Sequence, residues 1–256
     1  MSYLLEVENI TMQFGGLKAV DQLNLHIPKD SLTGLIGPNG AGKTTAFNVM
    51  TGVYHPTAGK VLYKGQNIVG LKPFEISRLG ITRTFQNIRL FKNLTVLDNL
   101  LIASIQHIKY NLFDEIFLTK KLREQEKASL SKCMDVLEFF NLAHKANDEA
   151  SSLPYGEQRK LEIARAISTE PELIFLDEPA AGMNPSETAN LMELISLIRK
   201  KYSVTILLIE HDMKLVMGIC EKIYVLDHGV KIAEGTTKEI QNSKAVIEAY
   251  LGPGDL

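Results

Sequence analysis

Nine consecutive residues, Gly37-Pro38-Asn39-Gly40-Ala41-Gly42-Lys43-Thr44-Thr45, bring three glycines, a lysine and two hydroxyls together at the spacing that cradles a polyphosphate. The glycines let successive backbone N–H groups turn toward one anion, and the start of the helix that follows adds partial positive charge. Lys43 is expected to reach the β- and γ-phosphates, and Thr44 to offer its hydroxyl to Mg²⁺. An apolar strand pattern, LTGLIG, runs into the loop and a helical pattern leaves it near Lys43, the context that the motif requires. A Gly-rich turn that merely caps a helix is the competing description, and the Lys-Thr pair and the flanking elements speak against it. Binding of a nucleoside triphosphate is therefore expected.

A second cluster closes the run Leu173-Ile174-Phe175-Leu176-Asp177-Glu178, where four apolar residues end in two carboxylates. Ligands of open α/β sheets bind at the carboxyl ends of such strands. Asp177 suits a role beside Mg²⁺, and Glu178 suits a general base that polarises the attacking water. A strand ending in a solvated acidic turn would look similar alone, but beside an intact phosphate loop the pair implies hydrolysis. His211 follows another apolar strand, VTILLIE, and so also emerges at a carboxyl end, where it is expected to contact the γ-phosphate and the water. The other histidines lack such placement. Gln86, after the strand-like ITRTF, is a neutral side chain able to coordinate Mg²⁺ or water. Leu153-Pro154-Tyr155-Gly156-Glu157-Gln158 opens a helix with a glycine beside its N-terminus, which fits a second anion site or an ordinary capped surface helix.

The elements that must position these residues follow from periodicity. Strand patterns alternate with turns over the first third, long helical stretches fill the block from about Thr95 to Asn141, and strand-helix alternation returns after Ala164. Thr95 with Asp98 is a capping-box start. The charged run from Thr119 to Asp135 reads as a solvated helix face. LIFLDEP and VTILLIE predict a parallel sheet covered on both faces, and KIYVLDHGVKIAEG a hairpin turning at His228-Gly229. With no repeat, Pro-rich linker or low-complexity tract, one compact body of 256 residues with a helical insertion is expected, and the tail GPGDL is expected to fray.

Composition limits the function. Against 30 Asp and Glu stand 28 Lys and Arg, a net charge of −2 without the basic excess of a dedicated nucleic-acid binder. No apolar run is long enough to span a bilayer, and the start MSYLLEVENITMQF lacks a basic leader, so a cytosolic chain is expected. Cys133 and Cys220 lie in helical apolar patterns without metal-ligand spacing and read as packing thiols.

Taken in order, the phosphate loop, Gln86, LPYGEQ, LIFLDEP, AAGMNP and IEHD resemble the ATP-binding subunit of ABC transporters over essentially the whole chain. The resemblance implies a single ABC ATPase domain over residues 1–256. Its fold would be a RecA-like P-loop NTPase α/β core with an N-terminal antiparallel β subdomain and an inserted helical subdomain at about 87–165. It further implies two subunits sandwiching ATP head to tail, each phosphate loop facing the partner's signature helix with its Tyr155, Gly156 and Glu157. Phe14 matches the aromatic position that stacks on adenine, the alternative being a core aromatic that ends the first strand.

Two departures stand out. The family's usual signature begins Leu-Ser-Gly-Gly-Gln, and here the serine hydroxyl is replaced by Pro154. A hydrogen bond to a charged phosphate contributes about 1.5 to 3 kcal/mol, so a site roughly ten- to a hundredfold weaker is expected. Asn184 stands where a carboxylate usually crosses the dimer interface. Both are easier to carry if the second subunit is a different ATPase with a stronger signature.

At closer range RTFQNIRLFKNLTVLDNLL, EPAAGMNP and TILLIEHDMKLVM resemble the larger type of ATP-binding subunit in branched-chain amino-acid (leucine, isoleucine, valine) importers. That resemblance implies two membrane permeases, a second ATPase, and a periplasmic or extracellular solute-binding protein reached through the permeases. The chain would sit peripherally on the cytoplasmic face of the membrane. Ile88, Leu90, Phe91 and Leu94, next to Gln86, would form the groove for a permease helix, or else pack the helical subdomain. An exporter or lipid-extraction ATPase shares every motif. A non-transport switch on nucleic acid or ribosomes usually carries two cassettes or a coiled-coil insertion, and this chain has neither.

Overall fold

A computed structural model describes residues 3–107, 119–211 and 213–251. The tail expected to fray, the first two residues of the start, Asp212 and part of the middle helical block lie outside the described residues. The strands are β1 (Tyr3–Phe14), β2 (Leu17–Pro28), β3 (Leu32–Ile36), β4 (Ala58–Tyr63), β5 (Gln66–Asn67), β6 (Ile81–Arg83), β7 (Leu173–Asp177), β8 (Thr205–Ile209), β9 (Lys222–Asp227) and β10 (Val230–Gly235). The helices are α1 (Lys43–Met50), α2 (Pro73–Arg78), α3 (Val96–Ser104), α4 (Lys120–Phe139), α5 (Tyr155–Ile167), α6 (Pro185–Tyr202), α7 (Met213–Ile219), α8 (Thr237–Gln241) and α9 (Lys244–Leu251). The chain forms two compact units: residues up to Arg83 with those from Glu172 onward, and Thr84–Pro171.

The first unit holds two sheets. One is antiparallel in the order β2-β1-β4-β5, and the other runs β10-β9-β3-β8-β7-β6. In the second sheet only the β9–β10 hairpin is antiparallel. Every residue of β3, β7 and β8 is buried, as expected for parallel strands covered on both faces. β1 instead alternates from Leu5 on, burying Leu5, Val7, Ile10 and Met12, with a register shift between Val7 and Ile10 where Asn9 takes φ 50. Phe47 from α1 and Phe175 from β7 meet edge to face in the shared core, ring centroids 4.9 Å apart. At the hairpin, His228 and Gly229 both take positive φ, 45 and 81, the geometry of a type I′ turn.

The strand expected over ITRTF stops at Arg83, because the Phe85 carbonyl accepts from Arg159 Nη1 at 2.8 Å instead of joining the ladder. That boundary is also where the chain enters the second unit. There Thr95 caps α3, accepting the Asp98 N–H at 3.0 Å. Asn99, fully buried, donates through Nδ2 to the Phe91 and Thr95 carbonyls and accepts the Phe91 N–H, tying the segment before α3 onto it. Along α4 the buried residues Leu122, Cys133, Val136 and Leu137 make one stripe and the charged remainder faces outward. Among the described residues no helix is long and apolar enough to cross a membrane.

Cys220 lies just past the end of α7, not within a helix as its pattern suggested, and packs toward Gly34, where a Cβ would stand 3.1 Å from its Sγ. Burial pushes the Cys220 thiol up to about 12 and raises Cys133 as well. Both thiols should therefore resist iodoacetamide at pH 8 in the folded protein and react fully in denaturant, as counted by mass spectrometry. The unfolded thiols ionise first, so stability should fall as pH climbs from the ordinary thiol range toward 12.

Candidate active site

The strand order sets the site. β3 lies between β9 and β8, and β7 flanks β8, so the loops leaving β3, β7 and β8 open side by side. The loop from β3 to α1 is wedged between strands. A Cβ on Gly37 would come within 2.1 Å of the Leu226 carbonyl oxygen, and one on Gly42 within 2.3 Å of that of Ala19. Gly42, at φ 95, is also the N-cap of α1. Asn39, Gly40 and Thr44 are exposed at the rim, Pro38 and Thr45 are half-buried, and Ala41 is buried.

Lys43 is buried, and its Nζ donates to the carbonyls of Gly37 at 2.8 Å and Pro38 at 2.9 Å. Burial pulls its pKa below the ordinary lysine value, partly offset by the charges of Glu178 and Asp177. A cation stripped of water and only partly compensated is a ready partner for a polyanion.

Asp177 ends β7 inside the sheet, where its Oδ2 accepts from Arg83 Nη2 at 2.9 Å. The other arm of Arg83 donates to Asn48 Oδ1 at 2.8 Å and Thr51 Oγ1 at 3.0 Å, so one guanidinium ties the end of β7 to α1. Glu178 turns out of the strand at φ 45, a left-handed backbone rare for its residue type, with its N–H on the Ile209 carbonyl at 2.9 Å. That turn sets its Oε2 3.7 Å from His211 Nδ1, the histidine being 57% and the carboxylate 16% exposed.

Glu210 was missed by sequence reasoning. It is buried and accepts the Ala180 N–H at 2.9 Å and the His211 N–H at 3.2 Å, holding the turn after β7 against the end of β8. The signal lay in VTILLIE, a mostly apolar strand that ends on a carboxylate. Arg83 carried no signal at all, because its partners are 32, 35 and 94 residues away. Phe14 is 45% exposed and meets Tyr54 edge-on with centroids 5.4 Å apart, so it is no core residue.

Gln86 and residues 154–157 belong to the second unit. The Gln86 carbonyl accepts from Arg159 Nη2 at 2.7 Å. Pro154 is the N-cap of α5, followed by an exposed Tyr155 and a half-buried Gly156. Glu157, in the first turn, pairs with Lys145 at 2.6 Å, which offsets a negative charge where an anion is expected to approach. In the first unit, Asn184 caps α6. Its Oδ1 accepts the Ser186 and Glu187 N–H groups, both at 3.0 Å, so this atom serves the helix.

The residues suit a magnesium nucleotide. Mg²⁺ prefers hard oxygen donors and is held by one or two carboxylates together with substrate phosphates. The exposed Thr44 in the first turn of α1 and the carboxylate that ends β7 are donors of that kind. A phosphate loop feeding a helix from the middle of a parallel sheet, with acids at the adjacent strand ends, defines a P-loop nucleoside triphosphatase with a RecA-like core.

Comparison with known proteins narrows the class. A family model for ABC transporters matches residues 20–181, and one for branched-chain amino acid ATP-binding cassette transporters matches residues 230–252. The high-affinity branched-chain amino acid transport ATP-binding protein LivG of Escherichia coli K12 is 50% identical over 249 residues, 97% of this chain and 98% of its own. BraF of Pseudomonas aeruginosa, of the same description, is 48% identical over the same shares. Among solved structures, the ADP conformation of MJ1267, an ATP-binding cassette of an ABC transporter, superposes with a TM-score of 0.85 at 34% identity, covering 99% of this chain and 100% of that one. The chain belongs to the ABC transporter family, as an ATP-binding subunit that hydrolyses ATP.

Replacing Arg83 by Met would leave Asp177 buried without its ion-pair partner, and should lower stability by about 3–5 kcal/mol, read as an earlier urea midpoint. Lys43→Ala should weaken ATP binding roughly ten- to a hundredfold in a calorimetric titration, the scale of a lost hydrogen bond to a charged group.

Proposed function

We propose that this chain powers uptake of branched-chain amino acids, as one of two ATPases bound peripherally on the cytoplasmic face of a membrane importer. The observation that carries this is the near-complete alignment, at 50% identity, to a protein named for high-affinity transport of those amino acids. The separate family match over β10, α8 and α9 points the same way. The partners are a second ATPase, two permeases and, through the permeases, a periplasmic or extracellular solute-binding protein. In this reading residues 1–256 form one cassette with a helical subdomain at about 87–165, and the compact unit Thr84–Pro171 supports it.

In this reading residues 37–45 wrap the phosphates. Lys43 exchanges the Gly37 and Pro38 carbonyls for phosphate oxygens, and the Phe14 ring face lies on adenine. Thr44, Asp177 and Gln86 would hold Mg²⁺, which when bound would neutralise phosphate charge. Glu178 takes the proton of the attacking water, and His211, set beside it at 3.7 Å, contacts the γ-phosphate. Tyr155, Gly156 and Glu157 face the nucleotide of the other ATPase, where the loss of the signature serine and the capping role of Asn184 favour a heterodimer.

The coupling surface lies in the second unit. Phe91 is 48% exposed, with the Arg165 guanidinium 5.7 Å from its ring centroid. Leu94 lines an open groove of about 700 Å³ with Leu101, Ile102, Ile105 and Leu130, rimmed by Asp98, Arg123, Glu126 and Lys127. A permease helix with an apolar face and mixed charges would fit it.

Glu178→Gln should retain ATP affinity and lose about 10²- to 10⁴-fold in turnover, the scale of general-base removal, measured as phosphate release. Affinity purification of the tagged chain from detergent-extracted membranes should recover two multispanning permeases and a second ATPase, and cells lacking it should stop accumulating labelled leucine. A soluble complex with nucleic acid or ribosomes, or undiminished leucine uptake, would overturn the importer reading. The double substitution Phe91→Ala with Leu94→Ala should abolish recovery of the permeases while ATP binding persists; retained recovery would count against the groove.

A further inference from the structure

Within the second unit one guanidinium joins two functional segments. Arg159 is fully buried on α5, one turn past the signature residues. Its Nη1 donates to the Phe85 carbonyl and to Glu162 Oε2, both at 2.8 Å, and its Nη2 donates to the Gln86 carbonyl at 2.7 Å and the Tyr155 hydroxyl at 3.3 Å. Glu162, also buried, accepts the Arg89 N–H through its other oxygen at 3.2 Å. The turn at 85–89 is thus gripped at three backbone points by a single helix, and the same fork reaches the first residue of that helix.

This is an uneconomical way to pack a helix. Arg159 Nε finds no hydrogen-bond partner among the described residues, and burial raises the pKa of Glu162 against the pull of Arg159. Apolar residues of similar size often serve a core at least as well as a buried ion pair. What apolar residues cannot do is donate to two backbone carbonyls, a carboxylate and a hydroxyl at once, which this planar fork does.

We propose that Arg159 is a positioning residue that couples the two ATP sites of the assembled ATPase pair. It transmits a displacement of Gln86, at this chain's own nucleotide, to Tyr155 and the start of α5, which face the partner's nucleotide. The proposal rests on the proposed function, in which Gln86 and residues 154–157 serve opposite sites. Moving the 85–89 turn requires either that the first turn of α5 follow or that several buried hydrogen bonds break. A two-state element that both sites can bias is the physical requirement for such coupling. Lysine in place of Arg159 would keep the charge and lose the fork.

The test is hydrogen–deuterium exchange on the full-length chain, with and without Mg²⁺ and adenylyl imidodiphosphate. It is run at a concentration where sedimentation shows a monomer, so that no partner protects the signature directly. In the unsubstituted chain, nucleotide should change exchange at 85–89 and also at 154–158, the latter by about fivefold or more, the low end of ordinary coupling between sites. Arg159→Lys should keep nucleotide affinity and the response at 85–89 but lose the response at 154–158, and Tyr155→Phe should likewise lose the response at 154–158 while that at 85–89 persists. Tyr155→Phe removes one hydroxyl from an exposed ring, so it carries the test if Arg159→Lys does not fold. A response at 154–158 that survives in the folded variants, or is absent from the unsubstituted chain, would overturn the coupling and leave the Gln86 assignment standing. No response at 85–89 despite measured binding would sink the Gln86 assignment and the coupling together.

Discussion

A lysine ammonium held out of water, on two carbonyl oxygens of its own loop, is the interaction on which the rest of this structure depends. Burial pulls the pKa of Lys43 down, and the charges of Glu178 and Asp177 offset part of that desolvation while two carbonyls accept its hydrogen bonds. Removing either carboxylate makes the ammonium costlier. Substrate polyphosphate resolves that tension, since it brings the negative charge that the loop lacks and its N–H groups need.

The scaffold can be read as what this charge cluster requires. Three neighbouring parallel strands supply the three loops, and their buried, mostly apolar residues keep water away from the sheet beneath. Arg83 braces Asp177 against α1, so the acid and the helix that opens with Lys43 are held by one side chain. Glu210 performs the same service for the turn that presents Glu178 and His211. Each brace is a buried ion or charge-assisted hydrogen bond, costly if half made and rigid when complete.

What could be read from the sequence was what is contiguous in it. The phosphate loop, the acids closing LIFLDE, the Thr95–Asp98 cap and the His228–Gly229 turn are local patterns, and local geometry follows from them. The parallel sheet followed from apolar runs separated by helices. What stayed hidden is long-range pairing: Arg83 with Asp177, Lys145 with Glu157, and Arg159 with the carbonyls of Phe85 and Gln86. An arginine on an apolar helical stripe carries no mark of its partner, because topology chooses the partner. For the same reason ITRTF reads as a strand two residues longer than the one that forms.

Two kinds of chemistry therefore meet in one chain: a charge cluster proposed as the site of ATP cleavage, and a helical unit whose buried Arg159–Glu162 pair fixes the segment bearing Gln86. The most direct measurement of the first is an NMR titration of Lys43 in chain carrying ¹³C-labelled lysine, with Lys43→Arg used to assign its signal. Without nucleotide, Lys43 should titrate below the other lysines, and saturating ATP should move its pKa upward. A Lys43 that titrates with the bulk lysines and does not move when ATP binds would contradict the central role of its desolvated charge.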